Sequence, residues 1–248
     1  MIEFKNVVKS FGERTVLNGI SFQVPEGQIL FILGTSGTGK SVLLKNLVGL
    51  LRPTSGEIWI DDQEVSRLSE EAYFPIRKKC GMVFQHPALF DSLTIFDNVA
   101  FGLRKHMREW SETQVHERVM QCLELVHLKA DIVRKYPAEI SYGMQKRVSL
   151  ARTIAVNPRV LLFDEPTTGL DPITTRAVNH LILELSRELK TTSVVVSHDM
   201  GCALEIADRI LVLDQGQIVE EGPTERVKAS QVPLVRDFLK EALENVLV

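Results

Sequence analysis

The chain has no apolar run approaching the length of a membrane span, which takes about 20 residues as a helix. No signal-peptide pattern separates Met1 from the strand-like residues after it. Basic residues are not in excess: 29 Lys and Arg face 32 Asp and Glu, for a net charge of −3. Without a basic stripe, nucleic acid is not expected as the main partner. Cysteine is scarce, and Cys80, Cys122 and Cys202 are scattered without metal-ligand spacing, so reduced core or surface thiols are expected. There is no internal repeat and no low-complexity segment. These absences point to a soluble protein of the cytoplasm. At 248 residues the chain suffices for one large domain, or a domain with a subdomain, around an ample core.

The most informative residues present form one octapeptide. Gly34-Thr35-Ser36-Gly37-Thr38-Gly39-Lys40-Ser41 fits the phosphate-loop pattern G-x-x-x-x-G-K-S/T at every fixed position. Before it, Ile29-Leu30-Phe31-Ile32-Leu33 has the length and β-branched character of a buried strand. After it, Val42-Leu43-Leu44-Lys45-Asn46-Leu47-Val48 reads as a helix. In that context the glycines let backbone N–H groups turn inward around a polyphosphate, at the positive end of the helix. Lys40 then reaches the outer phosphates and the Ser41 hydroxyl ligates Mg2+, so a nucleoside triphosphate is the expected ligand.

Elsewhere, Met1–Val8, Arg14–Leu17, Ser21–Val24, Glu57–Ile60 and Gly81–Phe84 read as strands separated by turns such as Pro25–Gln28 and Pro53–Gly56. Residues 86–157 read as a mostly helical insertion; within it Ser111–Gln114 is a capping box, followed by Val115, Val119, Cys122, Leu123 and Val126 at helical spacing. Val160–Phe163, Ser193–Val196 and Ile210–Leu213 resume the buried-strand pattern. Asp171-Pro172 opens a helix between the first two, with an apolar stripe through Ala177, Leu181, Leu185 and Leu189. Strands alternating with helices predict an α/β fold with a mainly parallel sheet.

Val160–Phe163 runs into Asp164-Glu165. In a phosphate-loop enzyme the first carboxylate holds the magnesium, and the second is placed to polarise a water in line with the terminal phosphate. Gln85, Asp171 and His198 also fall at or just past predicted strand ends. Ligands of open α/β sheets bind at those ends, so all three are candidates for the same site.

The order of glycine loop, Gln85, Ile140-Ser141-Tyr142-Gly143-Met144, Asp164-Glu165, Asp171 and His198 resembles the ATPase subunit of ABC transporters over nearly the whole chain. The resemblance implies a P-loop nucleotide-hydrolase core of residues 1–85 and 158–225 with an antiparallel β subdomain. A helical subdomain, 86–157, is inserted in it, and a C-terminal helix occupies 226–248. It implies ATP and Mg2+ as cofactors, with two ATP molecules sandwiched between head-to-tail copies. The Ser141 hydroxyl and the Gly143 N–H then contact the γ-phosphate held by the other copy, as an anion sits at a helix N-terminus. His198 contacts the γ-phosphate, Gln85 the magnesium and attacking water, and Asp171 the opposite copy. Phe11 lies where the family stacks an aromatic ring on adenine; a packed core phenylalanine is the alternative.

The usual signature reads Leu-Ser-Gly-Gly-Gln, so Tyr142 replaces a glycine and Met144 a glutamine. Methionine there resembles the ATPases of Mce-type systems, which move phospholipids or other apolar molecules between bacterial membranes. Implied partners are a second copy, a multi-span permease, an Mce-type lipid-binding subunit and a small regulatory protein; Ala88-Leu89-Phe90 either helps receive a permease helix or makes an internal contact between the two subdomains. The implied location is the cytoplasmic face of the inner membrane. Alternatives are a mechanical ABC ATPase controlling cell-wall remodelling and an importer ATPase for small polar solutes. Chromosome-organising relatives need a long coiled coil, for which the stretch from Gly39 to Ser141 has neither room nor heptads. Leu234, Val235, Phe238, Leu239, Ala242, Leu243, Val246 and Leu247 share one face of the terminal helix. That face either packs on its own domain or docks a regulator.

Overall fold

Alternation along the first strands builds a sheet buried on one face. In the computed structural model, which describes residues 1–244, β1 (Ile2–Phe11) and β2 (Arg14–Val24) form an antiparallel hairpin. The two strands expected at Arg14–Leu17 and Ser21–Val24 are one. The register steps from Val7–Ile20 to Lys9–Leu17, so β2 carries one extra residue at Asn18-Gly19. Such a bulge bends a strand without ending it, which is why the segment reads as a break. Asn18 N–H donates to Gly216 O at 2.8 Å, tying the bulge to a distant turn.

Next in order come β3 (Ile29–Leu33), α1 (Lys40–Leu47), β4 (Ser55–Ile60), β5 (Gln63–Glu64), α2 (Glu70–Lys79) and β6 (Cys80–Val83). The helical insertion holds α3 (Ile95–His106), α4 (Glu112–Leu125) and α5 (Tyr142–Ala155), capped by Thr94, Ser111 and Ser141 respectively. The chain continues through β7 (Val160–Asp164), α6 (Pro172–Glu188), β8 (Thr192–Ser197), α7 (Met200–Ile206), β9 (Arg209–Asp214), β10 (Gln217–Pro223), α8 (Thr224–Lys228) and α9 (Pro233–Glu244). One sheet has the order β2-β1-β4-β5; the other has the order β10-β9-β3-β8-β7-β6. The second is parallel except for its edge strand β10. Phe84, expected inside a strand, lies just beyond β6 and is exposed.

The second sheet is the wall between two cores. From β3, Ile29, Phe31 and Leu33 face a core shared with α3, α4, α5, α6 and α7. Leu30 and Ile32 face the other core, with α1 and the antiparallel sheet. A strand buried on both faces must be apolar at every position, which accounts for the unbroken apolar run. Each such Leu, Ile or Phe contributes about 1.5–3 kcal/mol by leaving water.

On α6 the buried stripe is Val178, Leu181, Ile182 and Leu185; Ala177 and Leu189 are only half-buried, so the stripe is rotated from the expected one. At the C-terminal end Val235, Phe238 and Ala242 are buried in the helical-side core, while Leu243 is 66% exposed. That face therefore packs on its own domain. Val246 and Leu247 lie outside the described residues. Among the described residues no helix is long and apolar enough to cross a membrane.

Candidate active site

The C-terminal ends of β3, β7 and β8 lie side by side, because β3 pairs with β8 and β8 with β7. Each delivers part of one polar cluster. From β3 comes the phosphate loop, residues Gly34 to Ser41, whose last two residues open α1. Two of its glycines are dictated by space. A Cβ on Gly34 would meet the Leu213 carbonyl and lie 2.7 Å from Thr38 Oγ1. Gly39, at φ +107°, sits in a conformation closed to L side chains, with Leu17 and Val16 against it. The Thr38 hydroxyl donates to Thr35 O at 2.9 Å, closing the loop on itself. Thr35, Ser36 and Gly37 are exposed along its crest.

Lys40 is buried and turns back along the loop. Its ammonium donates to Gly34 O at 2.7 Å and Thr35 O at 3.0 Å, and it lies 3.7 Å from Glu165 Oε1. Burial, opposed by the Glu165 and Asp164 carboxylates, holds its pKa below the usual lysine range. At the end of β7 the Ser41 hydroxyl donates to Asp164 Oδ1 at 2.8 Å. Glu165 follows with φ +50°, a left-handed backbone rare outside glycine. Its N–H donates to Val196 O at 2.9 Å, and the Thr168 hydroxyl donates to Glu165 Oε2 at 3.2 Å. His198, just past β8, places Nδ1 2.9 Å from the same oxygen. Lys40, Ser41, Asp164, Glu165 and His198 are thus gathered within direct contacts.

The donor set fits a Mg–nucleotide. Mg2+ prefers one or two protein oxygens plus water and phosphate, which matches the Ser41–Asp164 pair. Among the described residues there is no group of three or more His, Cys, Asp or Glu fit to hold a metal alone. Ser41 and Asp164 would hold the Mg2+, which would supply charge neutralisation for the outer phosphates. What this chain brings there is the Lys40 ammonium, of the charge to meet a phosphate, and the Glu165 carboxylate, held by Thr168 and His198 and chemically able to accept a proton.

The other predicted residues stand apart from this cluster. Among the described residues, no hydrogen bond or ion pair joins the side chains of Phe11, Gln85, Ser141 or Asp171, or the Gly143 backbone, to it. Phe11 is 48% exposed with Lys9 Nζ 4.9 Å from its ring centroid, so it is not a packed core residue. Ser141 is the N-cap of α5, its hydroxyl accepting from Met144 N–H at 3.3 Å. Asp171 caps α6, accepting from the Ile173 and Thr174 N–H groups at 3.0 Å. Thr174 Oγ1 also donates to it at 2.6 Å, and these bonds hold the Asp171 pKa low. Met144 packs against the helical-side core.

Four contacts escape the sequence reading. Thr168 steadies Glu165, and the spacing of three residues along a turn is the only clue. Tyr142 Oη lies 3.3 Å from His86 Nδ1 and 3.5 Å from Gln85 O. Lys146, from the next turn of α5, also donates to Gln85 O, and burial pushes its pKa down to about 8.

Comparison with known proteins agrees with this chemistry. The ABC transporter family model matches residues 17–168. The chain is 42% identical, over its full length and 74% of the relative's, to a methionine import ATP-binding protein of Carboxydothermus hydrogenoformans. It is 40% identical to a probable ribonucleotide transport ATP-binding protein of Mycobacterium leprae, over 96% of this chain and 68% of that one. Among solved structures, a dimeric ATP-binding cassette in a post-hydrolysis state with ADP and phosphate matches with TM-score 0.82 and 34% identity, covering 90% of this chain and 99% of that one. The cbiO1 protein of Clostridium perfringens, part of the transporter complex cbiONQ, matches with TM-score 0.86 and 27% identity, over 96% of this chain and 98% of that one. With the phosphate loop, the Asp164-Glu165 pair and these likenesses together, the chain belongs to the ABC transporter family as an ATP-binding, Mg2+-dependent ATPase subunit.

Proposed function

We propose that two copies of this chain close head to tail around two Mg-ATP molecules and drive a multi-span membrane permease from its cytoplasmic side. The observation that carries this reading is the Lys40–Glu165–His198 cluster beside the Ser41–Asp164 pair, at the ends of three adjacent strands. In it Glu165 is the general base toward water. Lys40 and His198 meet the terminal phosphate, and Gln85 lies toward the magnesium and attacking water. The helix start at Ser141 and Gly143, with Asp171, serves the other copy's nucleotide, which accounts for their having no bond to the Lys40 cluster. Phe11, exposed at the end of β1, stacks on adenine. Residues 1–85 and 158–225 act as the nucleotide core and 86–157 as the moving helical part. Phe90 and Phe101, both partly exposed with ring centroids 4.7 Å apart, offer the permease an apolar contact.

The cargo we propose is phospholipid or another apolar molecule, presented by an Mce-type subunit, and Met144 in the signature supports this. A second reading, an importer ATPase for a small polar solute, is favoured by the 42% identity to the methionine import protein. The test is mass spectrometry of what co-purifies with Glu165→Gln from gently solubilised native membranes with ATP. Recovery of a permease with a lipid-binding subunit supports the first reading. A permease with a solute-binding protein supports the second, and a cell-wall-remodelling partner with neither overturns both.

A further inference from the structure

Lys146 is a buried cation without a counter-ion. It is 2% exposed, and among the described residues no carboxylate lies within ion-pair distance of its ammonium. Burying an unpaired charge costs several kcal/mol unless something is gained from it. Its hydrogen bond goes to the backbone carbonyl of Gln85, and its ammonium lies 5.6 Å from the centroid of the Tyr142 ring. Tyr142 Oη approaches the same carbonyl at 3.5 Å. Further along α5, Arg152 donates to Pro87 O at 3.2 Å and to Ala88 O at 2.7 Å. One helix therefore grips the backbone just past β6 at Gln85, Pro87 and Ala88. Phe84, Gln85 and His86 are themselves exposed. Fixing a residue's carbonyl fixes the peptide plane from which its side chain departs.

We propose that Lys146, assisted by Tyr142, is a positioning residue for ATP hydrolysis: it clamps the Gln85 carbonyl to the first turns of α5, so that Gln85 and the Ser141 helix start move as one unit. The clamp acts through main chain, so it holds Gln85 while leaving the glutamine amide free for the nucleotide. It also gives the departure at Tyr142 a role. The tyrosine covers the ammonium that a glycine would leave open. This inference rests on the reading of Gln85 as a residue of the hydrolytic site.

The test compares Lys146→Met, which keeps the stem and loses the donor, with Lys146→Gln, which keeps a neutral donor. A buried unpaired lysine replaced by an apolar residue is not expected to lower the melting temperature. With a clamp, Lys146→Met lowers kcat for ATP about tenfold at unchanged nucleotide Kd and melting temperature, and speeds amide hydrogen exchange over residues 85–90. Lys146→Gln recovers most of the rate. A Lys146→Met kcat within about twofold of wild type overturns the clamp. So does an equal loss in both variants that tracks a fall in melting temperature. Glu165→Gln is measured alongside. If it hydrolyses ATP as fast as wild type, the hydrolytic reading of the site fails first and on its own evidence.

Discussion

Lys40 illustrates how one side chain is held ready for a ligand. Its ammonium is satisfied by the Gly34 and Thr35 carbonyls and by Glu165, all on or beside the loop, so a phosphate exchanges those partners for stronger anionic ones. Lys40→Ala is expected to weaken ATP binding by roughly 1.5–3 kcal/mol, about 10- to 150-fold in Kd. Equilibrium binding of a fluorescent ATP analogue measures it, and wild-type affinity would refute the assignment. At this scale the sequence was most legible. The loop pattern named Lys40 and Ser41, and the apolar run into Asp164-Glu165 named the carboxylates. Tyr142 and Lys146 were not legible as a pair around Gln85, because a contact between residues 61 positions apart has no local signature.

The elements show the same division. Strands buried on both faces and helices with caps announce themselves, whereas α2, α7 and β10 do not. α2 has a capping serine, acidic residues in its first turn and basic ones in its last, but Pro75 interrupts the pattern. α7 is only seven residues long, and β10 is an edge strand with a mixed burial pattern. Strand order is also hidden, since parallel neighbours are joined by long crossovers; it is this order that brings His198 beside Glu165. α2 has a measurable consequence. Tyr73 is buried on it, and burial raises its pKa to about 12. The unfolded chain releases that proton near pH 10. Between about pH 10 and pH 12 the folded state therefore holds more protons than the unfolded one, and stability falls as pH rises. Relative to Tyr73→Phe, wild type should lose on the order of 1 kcal/mol per pH unit across that window. Urea titrations of both proteins would read it, and a constant difference would refute it.

For the whole molecule, the candidate site falls into two groups that share no hydrogen bond or ion pair among the described residues. Ser141, Gly143 and Asp171 lie apart from the Lys40 cluster, and Ile173 beside Asp171 is 82% exposed. A second copy is the expected complement. Glu165→Gln should elute as a dimer on a sizing column with Mg-ATP and as a monomer without nucleotide. A persistent monomer with ATP counts against the sandwich. Position 165 also carries a conflict that concerns the entire fold. A non-glycine residue in a left-handed conformation costs roughly 1–3 kcal/mol, and Glu165 adopts it just past a strand whose Val160–Phe163 are buried. Glycine would relax that peptide and remove the carboxylate proposed as the base. Heat resistance and turnover therefore pull this position in opposite directions, and selecting variants for endurance alone would favour an inert protein that still folds well.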